Sequence, residues 1–191
     1  VGPVTDVVGR VLANVIKSAL DAVPALGGFA MAALWPIMII FGVHWGMVPI
    51  VMNNHAVLGY DYILPLTVGT NFGIAAAVFA ISLKSKNAET KELAATSAVS
   101  AFVGGVTEPA IYGILMKCKK VFAVLLLANG IGGAICGVMH VTRDVMITVN
   151  GLTLPAIAAV YGPWGIVAIV ISMIAGFAAG FLMFKDEMMD A

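Results

Sequence analysis

The chain has 191 residues, of which 61% are hydrophobic and 10% charged, and its ten basic and ten acidic side chains cancel to a net charge of zero. A soluble domain carries about 25% charged residues, so a water-soluble globular domain is excluded, and a neutral chain offers no electrostatic footing for nucleic acid. Charge is missing altogether from 22–60, 62–83, 121–142 and 145–184, each long enough for a helix to cross a bilayer.

Before the first of these runs, Val8, Leu12, Ile16 and Leu20 recur every fourth residue and mark one face of an amphipathic helix over 1–22, with Thr5 or Asp6 as its cap. Asp6, Arg10, Lys17 and Asp21 are wrong for the apolar core of a signal peptide. The chain starts on Val1, without an initiating Met, and is expected to be a piece of a longer protein. The membrane part is expected over 23–184, and the polar 185–191 reads as the start of a cytoplasmic linker.

The first span, 23–43, is interrupted by Gly27, Gly28 and Pro36. Such breaks are tolerated where neighbours or a cavity satisfy the freed backbone groups. The following FGVHWGMVPIVMNN (41–54) and GYDYILP (59–65) mix amides, imidazoles and aromatics, unlike a lipid-facing helix. Tyr60 and Asp61 read as members of an interfacial belt. A cleaner span over 62–83 ends in the basic loop LKSKNAETKE.

Residues 93–116 hold one charge, Glu108, between Lys84, Lys86 and Lys91 on one side and Lys117, Lys119 and Lys120 on the other. Lysine-rich loops stay cytoplasmic, so this segment must enter the membrane and return, and its halves are too short to cross separately. A re-entrant hairpin is expected, with its tip at Gly104-Gly105-Val106-Thr107-Glu108-Pro109. A further span over 121–142 carries Gly130, Gly132, Gly133 and Gly137 for close packing. Residues 143–161 read as a turn and a second re-entrant or extended element. A last span over 163–184 contains GFAAG (176–180), a small-residue face. The fold class is therefore an all-α polytopic membrane protein, with about four to five transmembrane helices and one or two re-entrant hairpins. No internal repeat is evident.

An ionised carboxylate inside a membrane segment costs about 2.5–3.5 kcal/mol. Glu108 is thus either a ligand for sugar hydroxyls that also orients or deprotonates one of them, or a structural group bonded to N–H groups at the hairpin tip. His44 beside Trp45 fits a sugar site, with an aromatic face for the C–H side of the ring and a polar group for hydroxyls. Asn53, Asn54 and His55 follow; amides donate and accept together, and their alternative role is to satisfy broken-helix backbone. His140 near Arg143 and Asp144 reads as structural or interfacial. Cys118 and Cys136 lie in no ligand spacing and read as apolar filling. No Walker A loop and no metal-ligand spacing occurs, so neither a metal nor another cofactor is expected.

The segments FGVHWGMVPIVMNN, GYDYILP, LKSKN and above all GGVTEPAIYGI, with the lead-in GPVTDVVGRVLANVI, resemble the second half of the glucose-superfamily EIIC permease of the bacterial phosphoenolpyruvate-dependent phosphotransferase system. The likeness is strongest to the β-glucoside, sucrose and trehalose branch. The resemblance implies a multi-pass protein of the bacterial inner membrane that binds sugar in an occluded site. A rigid-body swing then carries the sugar inward to an EIIB domain phosphorylated on cysteine, which is itself supplied by EIIA. The family's TEP glutamate corresponds to Glu108 and its HWG histidine to His44. The implied binding set is His44, Trp45, Asn53, Asn54, Thr107 and Glu108, with Glu108 as base or orienter. The EIIB signature, a cysteine followed by TRLR, is absent, as is the first half of EIIC that makes the family's dimer contact. A homodimer is therefore expected only of the complete permease. The chain itself reads as the transport component of a sugar phosphotransferase, the phosphoryl-donating cysteine lying on EIIB. RDVMITVNGLTLP departs from the aromatic, Gly-rich stretch of relatives. Two other readings stand beside this one: an ion-coupled secondary sugar transporter, and a membrane sugar sensor without phosphotransfer.

Overall fold

The computed structural model describes residues 20–189 together with Val15 and Ser18, so most of the expected helix over 1–22 and the last two residues of the expected linker lie outside it. Six helices organise the described residues: α1 Pro24–Ile40, α2 Val48–Leu58, α3 Thr70–Lys84, α4 Ala88–Val99, α5 Lys119–Val138 and α6 Leu154–Met183. Proline stands in the first turn of α1, α2 and α6, where its missing N–H is no loss. Among the described residues no strand forms, only an isolated bridge between Asp61 and Arg143.

Three helical stretches are long and apolar enough to cross a membrane: Leu64–Lys84, Lys119–Val138 and Leu154–Met183. The first joins α3 to the short 3₁₀ turn Leu64–Thr67 before it. Helix α1, 17 residues long with Pro36 inside it, is a shorter apolar helix, so among the described residues three of the expected four to five spans are long enough to cross.

Small residues set how these helices meet. A Cβ on Gly28 would overlap the Gly133 carbonyl, and one on Gly137 the Pro24 carbonyl, so α1 and α5 run antiparallel at backbone contact. Gly176 and Gly180 of α6 sit on the carbonyls of Gly73 and Ala77, so α3 and α6 run parallel. The expected small-residue faces are thus the contact faces, as close packing in lipid requires.

Both lysine-rich loops lie at one end of this bundle. Lys84 Nζ donates to the Leu182 carbonyl (3.2 Å), Lys86 N–H to Asp186 Oδ2 (3.1 Å) and Lys117 Nζ to the Met189 carbonyl (3.3 Å). The Ser85 hydroxyl also bonds Asp186. Phe184, 1% exposed, roots this C-terminal segment, a burial contributing about 2 kcal/mol. Between the two loops the chain enters and returns, as expected. Helix α4 continues into a π-helical turn, Ser100–Gly104, and reverses at Gly105. It comes back through Glu108–Ala110 and a second π turn, Ile111–Leu115, with Gly113 against Leu93 of the outgoing arm. Gly105 has φ +72°, a conformation glycine adopts without strain.

At the far end, residues 139–153 form irregular backbone of turns and bends before α6 begins, and the rest of 143–161 is the helical start of α6. The expected last span starts where α6 breaks, at Gly162 (φ 65°, ψ −168°) before Pro163. Asp61 does not belong to an interfacial belt. It is 0% exposed and bonded to Arg143, because a carboxylate in this position finds a guanidinium and three further donors within the protein.

Candidate functional site

A helix end leaves four carbonyls without an intrahelical partner, and at α1 these draw the candidate residues together. The Phe41 N–H bonds the Ile37 carbonyl and the Gly42 N–H that of Ile39. His44 Nδ1 lies 3.5 Å from the Met38 carbonyl. The Ile40 carbonyl is taken from another part of the chain: the Tyr112 hydroxyl donates to it at 2.9 Å and also lies 3.3 Å from the Ile39 carbonyl that Gly42 bonds. Tyr112 lies on the return arm of the hairpin, four residues after Glu108, and so on the same helical side. His44 accordingly stands within Coulombic reach of Glu108.

The His44 imidazole sits between two indoles, with ring centroids 5.9 Å from Trp35 and 5.5 Å from Trp45. Trp45 is 57% exposed and offers an open aromatic face. Glu108 is half-buried at the first position of its short helix, where the positive end of the helix favours a carboxylate. Thr107, the residue before it, is buried. The N–H groups around the tip are used by backbone carbonyls: Gly105 by Ala101, Val106 by Ser100 and Ile111 by Thr107. These three donors are therefore not available to Glu108, and the structural reading of the carboxylate loses them.

The tip is held from two sides. Asn71, early in α3, donates through one amide nitrogen to Gly105 O (3.4 Å) and to Val149 O (3.1 Å). The Gly151 N–H reaches Phe102 O at 2.6 Å, and Phe102 meets Phe72 edge-to-face at 5.7 Å. This irregular segment is fixed in turn by Asn150 and Thr153, each side chain accepting from the other's N–H at 3.0 and 3.2 Å. The re-entrant tip and residues 149–151 thus meet inside the bundle, about 20 Å from the lysine end at 1.5 Å per residue along α3.

The structure therefore sets His44, packed on Trp45, within Coulombic reach of Glu108 near the end of α1, with Thr107 buried beside Glu108 in the hairpin. It does not bring the amides there in the same way. Asn53 is exposed on α2, and Asn54, 6% exposed, gives its amide to Asp61 Oδ1 at 3.3 Å. His55 is half-buried. Among the described residues no group of three His, Cys, Asp or Glu side chains is placed to hold a metal ion. Reading the sequence missed Tyr112 and Asn71. The signal for Tyr112 was its i+4 spacing from Glu108, and for Asn71 a lone amide in an apolar span.

Comparison with known proteins gives a family and a set of relatives. The family model described as "Phosphotransferase system, EIIC" matches residues 1–130. The chain is 36% identical over 188 residues to the PTS system beta-glucoside-specific EIIBCA component of Bacillus subtilis, covering 96% of this chain and 30% of that protein. It is 35% identical over 142 residues to the corresponding protein of Dickeya chrysanthemi, covering 74% and 22%. It is 28% identical over 191 residues to the PTS system sucrose-specific EIIBC component of Bacillus subtilis, covering 98% and 41%. The chain thus spans about a third or less of the first of these relatives. No solved structure matches.

Proposed function

The chain belongs to the EIIC family of the phosphotransferase system, and from that premise we propose that it is the sugar-binding part of a permease for a β-glucoside or a related disaccharide. In this reading it works in the bacterial inner membrane with its lysine end in the cytoplasm, and it is completed by the first half of EIIC. What supports the proposal is the junction: a half-buried carboxylate stands within Coulombic reach of an imidazole that packs on an exposed indole, where the backbone is broken, as in other transport sites.

The sugar ring lies on Trp45 while Glu108 and His44 take its hydroxyls. Glu108 accepts the proton of the hydroxyl that is to be modified. That oxygen attacks the phosphorus of a phosphocysteine on EIIB, the O–P bond forms, the S–P bond breaks, and the thiolate leaves. EIIA then restores the phosphocysteine. The relatives named EIIBCA join these parts in one protein, which supports such partners here. No observation favours the ion-coupled reading.

Inside-out vesicles carrying the complete permease provide the test, with labelled methyl β-D-glucoside and phosphorylated EIIB. The label is expected to appear as sugar phosphate, in proportion to EIIB. Free sugar moved by an imposed proton or sodium gradient, without phosphate transfer, would overturn the proposal.

A further inference from the structure

A groove opens on the surface of the bundle between α3, the outgoing arm of the hairpin and α6. It measures about 480 Å³, and its ten lining residues are all Ala, Val, Ile, Met or Phe. Ala75 and Ala98, both buried, form its floor, and Phe79, Phe102, Ile174 and Phe177, 37–65% exposed, stand along its rim. Small-molecule sites carry a few placed polar groups that fix orientation. This lining has no polar side chain, so it fits an alkyl chain rather than a sugar.

The groove leads to two cations. Phe177 stacks on Phe181, one turn further along α6, with ring centroids 5.9 Å apart and planes 7° from parallel. Lys84 Nζ stands 5.9 Å from the centre of the Phe181 ring and donates to the Leu182 carbonyl, which leaves two of its three N–H groups for another acceptor. Lys91 is exposed and precedes Ala98 by two turns of α4, on the same helical face. Along the helix axes Lys84 lies about 7 Å beyond Phe79 and Lys91 about 11 Å beyond Ala98, comparable with an interfacial layer of about 5–8 Å on each side of the hydrocarbon. Glu89 and Glu92 stand two residues before and one after Lys91, spacings that do not face it. The Asp186 carboxylate accepts from the Ser85 hydroxyl and the Lys86 N–H. Among the described residues neither Lys84 nor Lys91 is ion-paired.

We propose that this groove binds an anionic phospholipid of the leaflet at the lysine end, with one acyl chain along Ala75 and Ala98 and the phosphate between Lys84 and Lys91. Charge complementarity selects the occupant: basic pockets between membrane helices take anionic headgroups, whereas a zwitterionic lipid brings the same chain without net charge. Towards the other end of the groove lies Phe102, whose carbonyl accepts from the Gly151 N–H, so the bound chain braces the arm that carries the re-entrant tip. The site is separate from the His44–Glu108 junction, and the inference does not rest on the sugar assigned there.

Native mass spectrometry of the complete permease tests it, after delipidation and titration with palmitoyl-oleoyl phosphatidylglycerol or phosphatidylcholine. Phosphatidylglycerol should be retained at least fivefold over phosphatidylcholine. Lys91→Gln should lower that retention roughly fivefold, the contribution of one lysine near an anionic headgroup, and leave phosphatidylcholine unchanged. Ile174→Trp fills the groove from its most exposed rim position, so it does not disturb the core, and should bring phosphatidylglycerol down to the phosphatidylcholine level. Equal retention of the two lipids by the wild type would overturn the site. Retention of phosphatidylglycerol that survives either substitution would overturn it as well, since headgroup and chain are both required. A cysteine at Ile174 in the complete permease should react with a lipid-soluble maleimide. Protection of that cysteine in delipidated protein would show that the first half of EIIC covers the groove, and would overturn the proposal too.

Discussion

Asp61 and Arg143, 82 residues apart, exchange both backbone hydrogen bonds at 2.8 and 2.9 Å, and their side chains form a buried ion pair at 3.2 Å. The Asp61 carboxylate also accepts from Ile63 N–H, Leu64 N–H and Asn54, and Arg143 donates to the Ile147 carbonyl. The pair therefore fixes the start of the irregular segment whose residues 149–151 meet the hairpin tip.

Removing one partner of such a pair leaves an uncompensated buried charge, at a cost of about 3–5 kcal/mol. Arg143→Met is expected to destabilise the complete permease by that amount in detergent unfolding. Asp61→Asn combined with Arg143→Met is expected to recover part of the loss. An unchanged unfolding midpoint in the single variant would show that the pair contributes nothing.

The placement of both lysine loops at one end predicts the labelling pattern of exposed positions. Cysteines at Lys86 and Lys119 should react with an impermeant maleimide from the same side of a vesicle, and a cysteine at His140 from the other. Labelling of Lys86→Cys and Lys119→Cys from opposite sides would contradict the hairpin.

Cys118 lies in the lysine loop before α5 and is buried, and that burial pushes its thiol from 9.0 to about 11, outweighing the neighbouring Lys117. Two units correspond to roughly a hundredfold less thiolate at pH 8, so maleimide should label native Cys118 about a hundredfold more slowly than the unfolded chain. The folded state holds the proton more tightly, so this thiol's contribution is complete below pH 9 and is lost as the pH rises towards 11. Rapid labelling at pH 8 in the folded permease would contradict the burial.

The hydrophobic runs, the lysine flanks and the glycine spacing disclosed the spans, the hairpin and the helix contact faces, because these follow from composition along a single segment. The partners of polar groups were not legible. Asp61 finds Arg143 across 82 residues, which no local pattern encodes, and that capture draws Asn54 towards Asp61. The π turns at Ser100–Gly104 and Ile111–Leu115 were equally hidden, since inserting one residue into a short apolar helix leaves its composition unchanged. Around the site, Glu108 and His44 stood out as polar residues in apolar runs. Tyr112 did not, because a tyrosine beside apolar residues is ordinary until its hydroxyl is seen on α1.

Tyr112 ties the hairpin's return arm to the last carbonyls of α1, and so couples Glu108 to His44. A net hydrogen bond contributes about 1 kcal/mol, equivalent to roughly a fivefold change in an equilibrium constant. Tyr112→Phe is expected to weaken sugar binding by about that factor without lowering expression, as read by equilibrium dialysis. Binding equal to wild type would show that the contact is not used in the sugar-bound state.

Glu108 carries the central claim. Hydrogen bonds to a charged acceptor are worth about 1.5–3 kcal/mol, and Glu108→Gln keeps the shape while removing the charge. The direct test measures sugar affinity and EIIB-dependent phosphorylation rate side by side, for wild type and Glu108→Gln in membranes at equal expression. Affinity is expected to fall at least tenfold, about 1.4 kcal/mol, and phosphorylation to fall further, since the hydroxyl also loses its proton acceptor. Insertion should be unimpaired, because removing an intramembrane charge lowers its cost. If both quantities match wild type, Glu108 is a structural carboxylate and the assigned site is wrong.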